Sequence, residues 1–93
     1  MNDFASVIVD KLKRDNNTRL RSNRLILVIE GPHNRRRKRV LERLEKETRA
    51  FLEERGYVVG NDWGTLEERD WESFFDAFLK FIAKLLPILL AFI

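Results

Sequence analysis

The sequence predicts a small α+β (or α/β) protein ordered helix–strand–helix–strand–long C-terminal helix. Three observations carry this. Leu25-Ile26-Leu27-Val28-Ile29 is an unbroken apolar run between Arg24 and Glu30-Gly31-Pro32, the pattern of a strand buried on both faces. Residues 35–55 repeat apolar side chains at helical spacing. From Leu66 onward the spacing is again helical, and it stays so to the end.

The elements follow in order. Asp3–Arg14 places Phe4, Val7, Ile8, Lys11 and Leu12 on one helical face, with Asp3, Ser6, Asp10 and Lys13 opposite and Asn2 as cap. A strand over Ala5–Val9 is the alternative, because Val7-Ile8-Val9 is β-branched. Asp15-Asn16-Asn17-Thr18 ends the helix and Arg19–Asn23 reads as a polar loop. After the apolar run, Val40, Leu41, Leu44, Thr48, Phe51 and Leu52 form the stripe of the middle helix, supported by Glu42–Lys46 and Glu45–Arg49 pairs. Gly56 stops it. Tyr57-Val58-Val59 reads as a second short strand, and Asn61–Gly64 as a turn. Thr65 and Glu68 match a capping box, so the last helix is expected to start at Leu66, with Pro87 kinking or breaking it. Two strands make a weak sheet, so self-association is expected to complete it. The chain divides into a strand–helix–strand domain with its N-terminal helix (1–64) and a C-terminal helix (65–93).

With 93 residues, no Cys and one His, a disulfide framework and a Cys-based zinc or redox site are excluded. No metal site and no cofactor are expected. Net charge is +3, but residues 11–39 carry +9 and residues 40–79 carry −6. Such asymmetry suggests an anionic partner or head-to-tail contact between copies. Arg outnumbers Lys twelve to six, which favours forked contacts to phosphate and carboxylate. Met1–Asp10 lacks the features of a secretory signal. An intracellular or virion-associated protein, peripheral to a membrane, is the expectation.

Arg35-Arg36-Arg37-Lys38-Arg39 opens the middle helix, where the helix dipole favours negative charge instead. A local rule broken in this way marks a candidate site. These five residues and Arg24, extended by Arg19 and Arg21, are the candidate anion-binding set, for nucleic acid or a lipid headgroup. The competing reading is a solvated charge run or pairing with the acidic third of the chain. Phe4 and Phe51 are the only aromatic residues before Tyr57 and both sit on apolar stripes, so base stacking is not indicated.

The C-terminal helix is the most informative segment. Its polar positions, Glu72, Ser73, Asp76, Lys80 and Lys84, form one narrow stripe, and after Lys84 every side chain is apolar. A helix apolar nearly all round must be buried nearly all round. The rest of the chain offers little to cover it, so Phe78, Phe81, Ile82, Leu85, Leu86, Ile88, Leu89, Leu90, Phe92 and Ile93 are the candidate interface. Three covers are open: other copies or another protein, a membrane reached through 81–93, or the chain's own core. A full span is disfavoured, because about 20 apolar residues are needed and Asp76, Lys80 and Lys84 would fall inside it.

Glu30, His33 and Asp62 have the right chemical types for acid–base work, but the signal is thin and no enzyme is expected. Leu27–Pro32 resembles the strand-then-Glu-Gly opening of Toprim domains. The later Asp-x-Asp pair of that family is absent, since Asn61-Asp62-Trp63 holds one Asp, so the resemblance implies no metal residue here. No phosphate-binding loop or dinucleotide fingerprint occurs. The function expected is a non-enzymatic assembly or anchoring subunit. The alternative is a nucleic-acid-binding module that contacts the backbone and dimerises through the C-terminal helix.

Overall fold

A computed structural model describes residues 3–14 and 16–91, with the backbone alone described at 16–18. Five α-helices follow one another: α1 (Phe4–Leu12), α2 (Asn16–Arg21), α3 (Asn23–Glu30), α4 (Arg35–Glu54) and α5 (Glu68–Leu90), with a 3-10 turn at Trp63–Thr65. No strand occurs among the described residues. The helix–strand alternation and its two-stranded sheet are therefore corrected to an all-helical fold.

The correction is sharpest at residues 25–29. The run is central, as expected of a buried strand, but it is helical. α3 packs against α1, α2, α4 and α5. Leu25, Ile26 and Ile29 are buried, Val28 is half-buried and Leu27 is 62% exposed. Positions 25, 26 and 29 share a helical face but not a strand face. An unbroken apolar run of five does not by itself separate the two geometries. What separates them is the backbone. A strand needs neighbours for its N–H and C=O groups, and this chain supplies only Tyr57–Val59 as a second one. A helix satisfies those groups within itself.

The second expected strand is an extended loop. Val58 is 91% exposed and Val59 is buried. The Val59 carbonyl accepts from the Arg49 guanidinium, with Gly60 O also accepting at 3.2 Å. A side chain thus takes the place of a partner strand. The expected loop at 19–23 is also corrected: residues 16–21 form α2, and α3 begins at Asn23. The Toprim likeness ends here, since its strand is a helix.

Helix ends follow local chemistry. The Asp3 carboxylate accepts from Ser6 N at 2.9 Å and caps α1; the expected cap, Asn2, lies outside the described residues. Asn34 caps α4 by accepting from Arg37 N at 2.9 Å. Gly56 takes φ +86° past the end of α4, a conformation that costs a residue with a Cβ. The start of α5 is two residues later than expected. Glu67 and Asp70 form the capping box, while Thr65 stays in the 3-10 turn and donates to Asp62 O at 3.0 Å. α5 continues through Pro87 to Leu90 rather than breaking. Pro87 is exposed, so the carbonyl left without its helical donor lies on the wet side of the helix.

One hydrophobic cluster draws on α1, α3, α4 and α5, from Phe4, Ile8 and Leu12 through Leu25, Leu44 and Leu52 to Trp71, Phe78 and Leu89. Phe51 is its hinge with α5. It lies 4.8 Å from Phe81, 5.9 Å from Phe78 and 6.0 Å from Phe74, ring centre to ring centre.

α1 is fastened to α5 by charge as well. The buried Lys11 ammonium meets Glu68 and lies 5.4 Å from the Trp71 ring centre. Arg14 reaches Glu68 at 2.8 Å and Glu72 at 3.1 Å. Both acids stand in the first turns of α5, where the helix dipole favours them. The hydrogen bond from Lys11 holds the Glu68 carboxyl below its ordinary value of 4.5, against a smaller opposing desolvation and with help from the Lys11 and Arg14 charges. Asp3 is held below 3.8, chiefly by its hydrogen bonds from Ser6. Depressed carboxylates stabilise the fold above their ordinary values and cease to do so as pH falls through the folded ones. Stability should therefore drop below about pH 4.5. Glu68 is 58% exposed, so its share is modest. Urea midpoints measured between neutral pH and pH 3 check this: Glu68→Gln should lower the neutral midpoint and flatten the acid limb.

Candidate functional site

The basic cluster is divided by the fold. Arg37 is structural: its Nε donates to Ile29 O at 2.7 Å and so places a cation at the C-terminal end of α3, where the dipole favours one. Lys38 sits 4.0 Å from Glu42, an exposed pair one turn along α4. Arg35, Arg36 and Arg39 are exposed and have no hydrogen bond or ion pair among the described residues. Arg24 is likewise exposed on α3. The candidate anion set thus reduces to three free guanidinium groups on the first turns of α4, with Arg24 on the neighbouring helix.

The same segments explain why cations tolerate this helix start. The Asn34 carboxamide oxygen takes the Arg37 backbone N–H, and the Arg37 side chain is occupied by α3. The remaining guanidinium groups extend into water, where their mutual repulsion is screened over about 8–10 Å.

The candidate interface on α5 is also divided. Phe78, Ile82, Leu85 and Leu89 are buried, Phe81, Leu86 and Leu90 are half-buried, and Ile88 is 47% exposed. Phe92 and Ile93 lie outside the described residues. Among the described positions, Leu85 and Leu89 are covered by the chain's own core. The polar stripe Glu72, Ser73, Asp76, Lys80, Lys84 is the outward line of the helix. Its continuation is Pro87, Ile88 and Ala91, all exposed. The wet face of α5 therefore turns apolar in its last two turns. No described helix is long and apolar enough to cross a membrane.

The acid–base trio does not assemble. Glu30 pairs with Lys13 at 2.8 Å. His33 shares a shallow groove with Glu30 and Arg37, lined otherwise by Ala5, Ser6, Val9 and Ile29. Asp62 is instead the cap of the 3-10 turn, accepting from Gly64 N at 2.9 Å. Among the described residues no three His, Asp or Glu side chains are grouped to hold a metal ion.

Two surface leucines escaped the sequence reading. Leu20 on α2 is 77% exposed and Leu27 on α3 is 62% exposed. Both were hidden by the secondary-structure assignment, Leu20 inside an expected loop and Leu27 inside an expected buried strand. Five consecutive apolar residues show no period, so nothing in the sequence singles out Leu27.

No family model, curated protein or solved structure matches the chain.

Proposed function

We propose that the protein is a non-enzymatic assembly or anchoring subunit that docks through the outer end of α5 into a multimeric helical core or a membrane, with its basic surface turned to an anionic partner. The observation that carries this is the change along the wet face of α5, from Asp76, Lys80 and Lys84 to Pro87, Ile88 and Ala91. A solvated helix has no use for such a change at its end. The patch is small, because Leu85 and Leu89 belong to the core. Cutting the chain after Lys84 would therefore damage the fold along with the docking surface. The clean variant is Ile88→Glu. Size exclusion and flotation with uncharged phosphatidylcholine vesicles should show the intact chain as a multimer or vesicle-bound, and the variant as a free monomer. An intact chain that is monomeric and unbound in both assays overturns the reading.

The second reading, a module that contacts nucleic-acid backbone, is supported by Arg35, Arg36 and Arg39, which are exposed and without an ion pair among the described residues. Its mark is duplex binding that weakens steeply with salt and is lost in the triple Ser variant of those arginines.

A further inference from the structure

We infer that the outward face of α2 and α3 docks on an anionic lipid headgroup layer. On α3 the buried positions Leu25, Ile26 and Ile29 lie to one side. At 100° per residue, Arg24 and Leu27 fall together on the opposite side. Leu27 is thus aimed away from the core rather than lying at its fringe. On α2, Leu20 is exposed between exposed Arg19 and Arg21. Between residues 16 and 29 there are three arginines and no acid. Glu30, the next acid, is already paired with Lys13.

An exposed leucine alone means nothing. Here two of them stand among exposed arginines on consecutive helices that pack together. Arg37 ties the start of α4, with its exposed Arg35 and Arg36, to the end of α3. Charge complementarity selects the class of partner and the leucines select within it. Phosphate headgroups would take the guanidinium forks, while Leu20 and Leu27 pass into the boundary of the acyl chains. A nucleic-acid backbone would use the same cations and leave both leucines wet. This surface shares no residue with the end of α5; it rests on the reading of a basic surface turned to an anionic partner and names that partner.

The test is flotation of the full chain with phosphatidylcholine vesicles, with and without phosphatidylglycerol. The readout is the phosphatidylglycerol-dependent increment in binding. The increment should be present, fall with salt, and drop at least about tenfold in both Leu20→Ser/Leu27→Ser and Arg21→Ser/Arg24→Ser. Ile88→Glu should leave it within about twofold, which separates this surface from the α5 end. These positions are exposed, so circular dichroism should show unchanged helix content; Leu27→Gln is the milder substitute if the double variant loses helix. Absence of any phosphatidylglycerol-dependent increment overturns the inference. So does a leucine variant that floats like the parent, or parent binding to duplex DNA that leaves vesicle binding undetectable.

Discussion

Phe78→Ala should destabilise the protein by about 3–5 kcal/mol, the usual cost of emptying a buried phenylalanine site. Phe78 has no exposed surface. Its ring lies 5.3 Å from Trp71 edge-to-face, 5.9 Å from Phe51 and 6.1 Å from Phe81, centre to centre. These rings come from α4 and from both sides of Phe78 on α5, so no single side chain can move in to close the gap. Domains of this size hold roughly 5–15 kcal/mol in all, and the loss would leave the variant close to unfolding at room temperature. A urea titration followed by far-ultraviolet circular dichroism checks this. A midpoint within experimental error of the parent would mean that the aromatic cluster is not the core.

Leu89→Ala should cost about 2–5 kcal/mol, whereas Ile88→Ser, one position away, should stay within about 0.5 kcal/mol. The contrast follows from 0% against 47% exposure. It separates burial inside one copy from burial between copies. If the chain's own core covers Leu89, the loss is the same at every protein concentration. If another copy covers it, the loss grows as the protein is diluted. Urea titrations at two concentrations tenfold apart decide between them.

α1, α4 and α5 were legible because each carries more than two turns of apolar side chains at helical spacing, and Gly56 announced the end of α4. α3 was not, because five consecutive apolar residues show no period. Its helical phase becomes visible only once Leu27 is known to be wet. α2 was hidden by its polar composition, since six residues with only Leu20 apolar leave no stripe to find. The capping box was misplaced by two residues because Thr65–Glu68 and Glu67–Asp70 overlap, and Asp62 holds Thr65 in the preceding turn.

The surfaces were legible by composition and not by geometry. The five-residue basic run stood out at once. That Arg37 serves the end of α3, while Arg35, Arg36 and Arg39 stay exposed, depends on how two helices meet. In the same way the greasy end of the chain was evident, but its division was not. Once the chain folds as five helices rather than three helices and two strands, Leu85 and Leu89 find cover, and the surplus contracts to Ile88 and its neighbours. The electrostatic clamp of Lys11 and Arg14 on Glu68 and Glu72 joins residues more than fifty positions apart, which no local pattern reveals.

The most direct measurement of this arrangement is methyl NMR with a soluble paramagnetic probe, at a concentration where sedimentation gives the single-chain mass of 11.1 kDa. The Leu25 and Leu89 methyl groups should be shielded from the probe, and those of Leu20, Leu27 and Ile88 broadened by it. Leu89 methyl signals broadened as strongly as those of Leu27 would contradict the self-covered C-terminal helix.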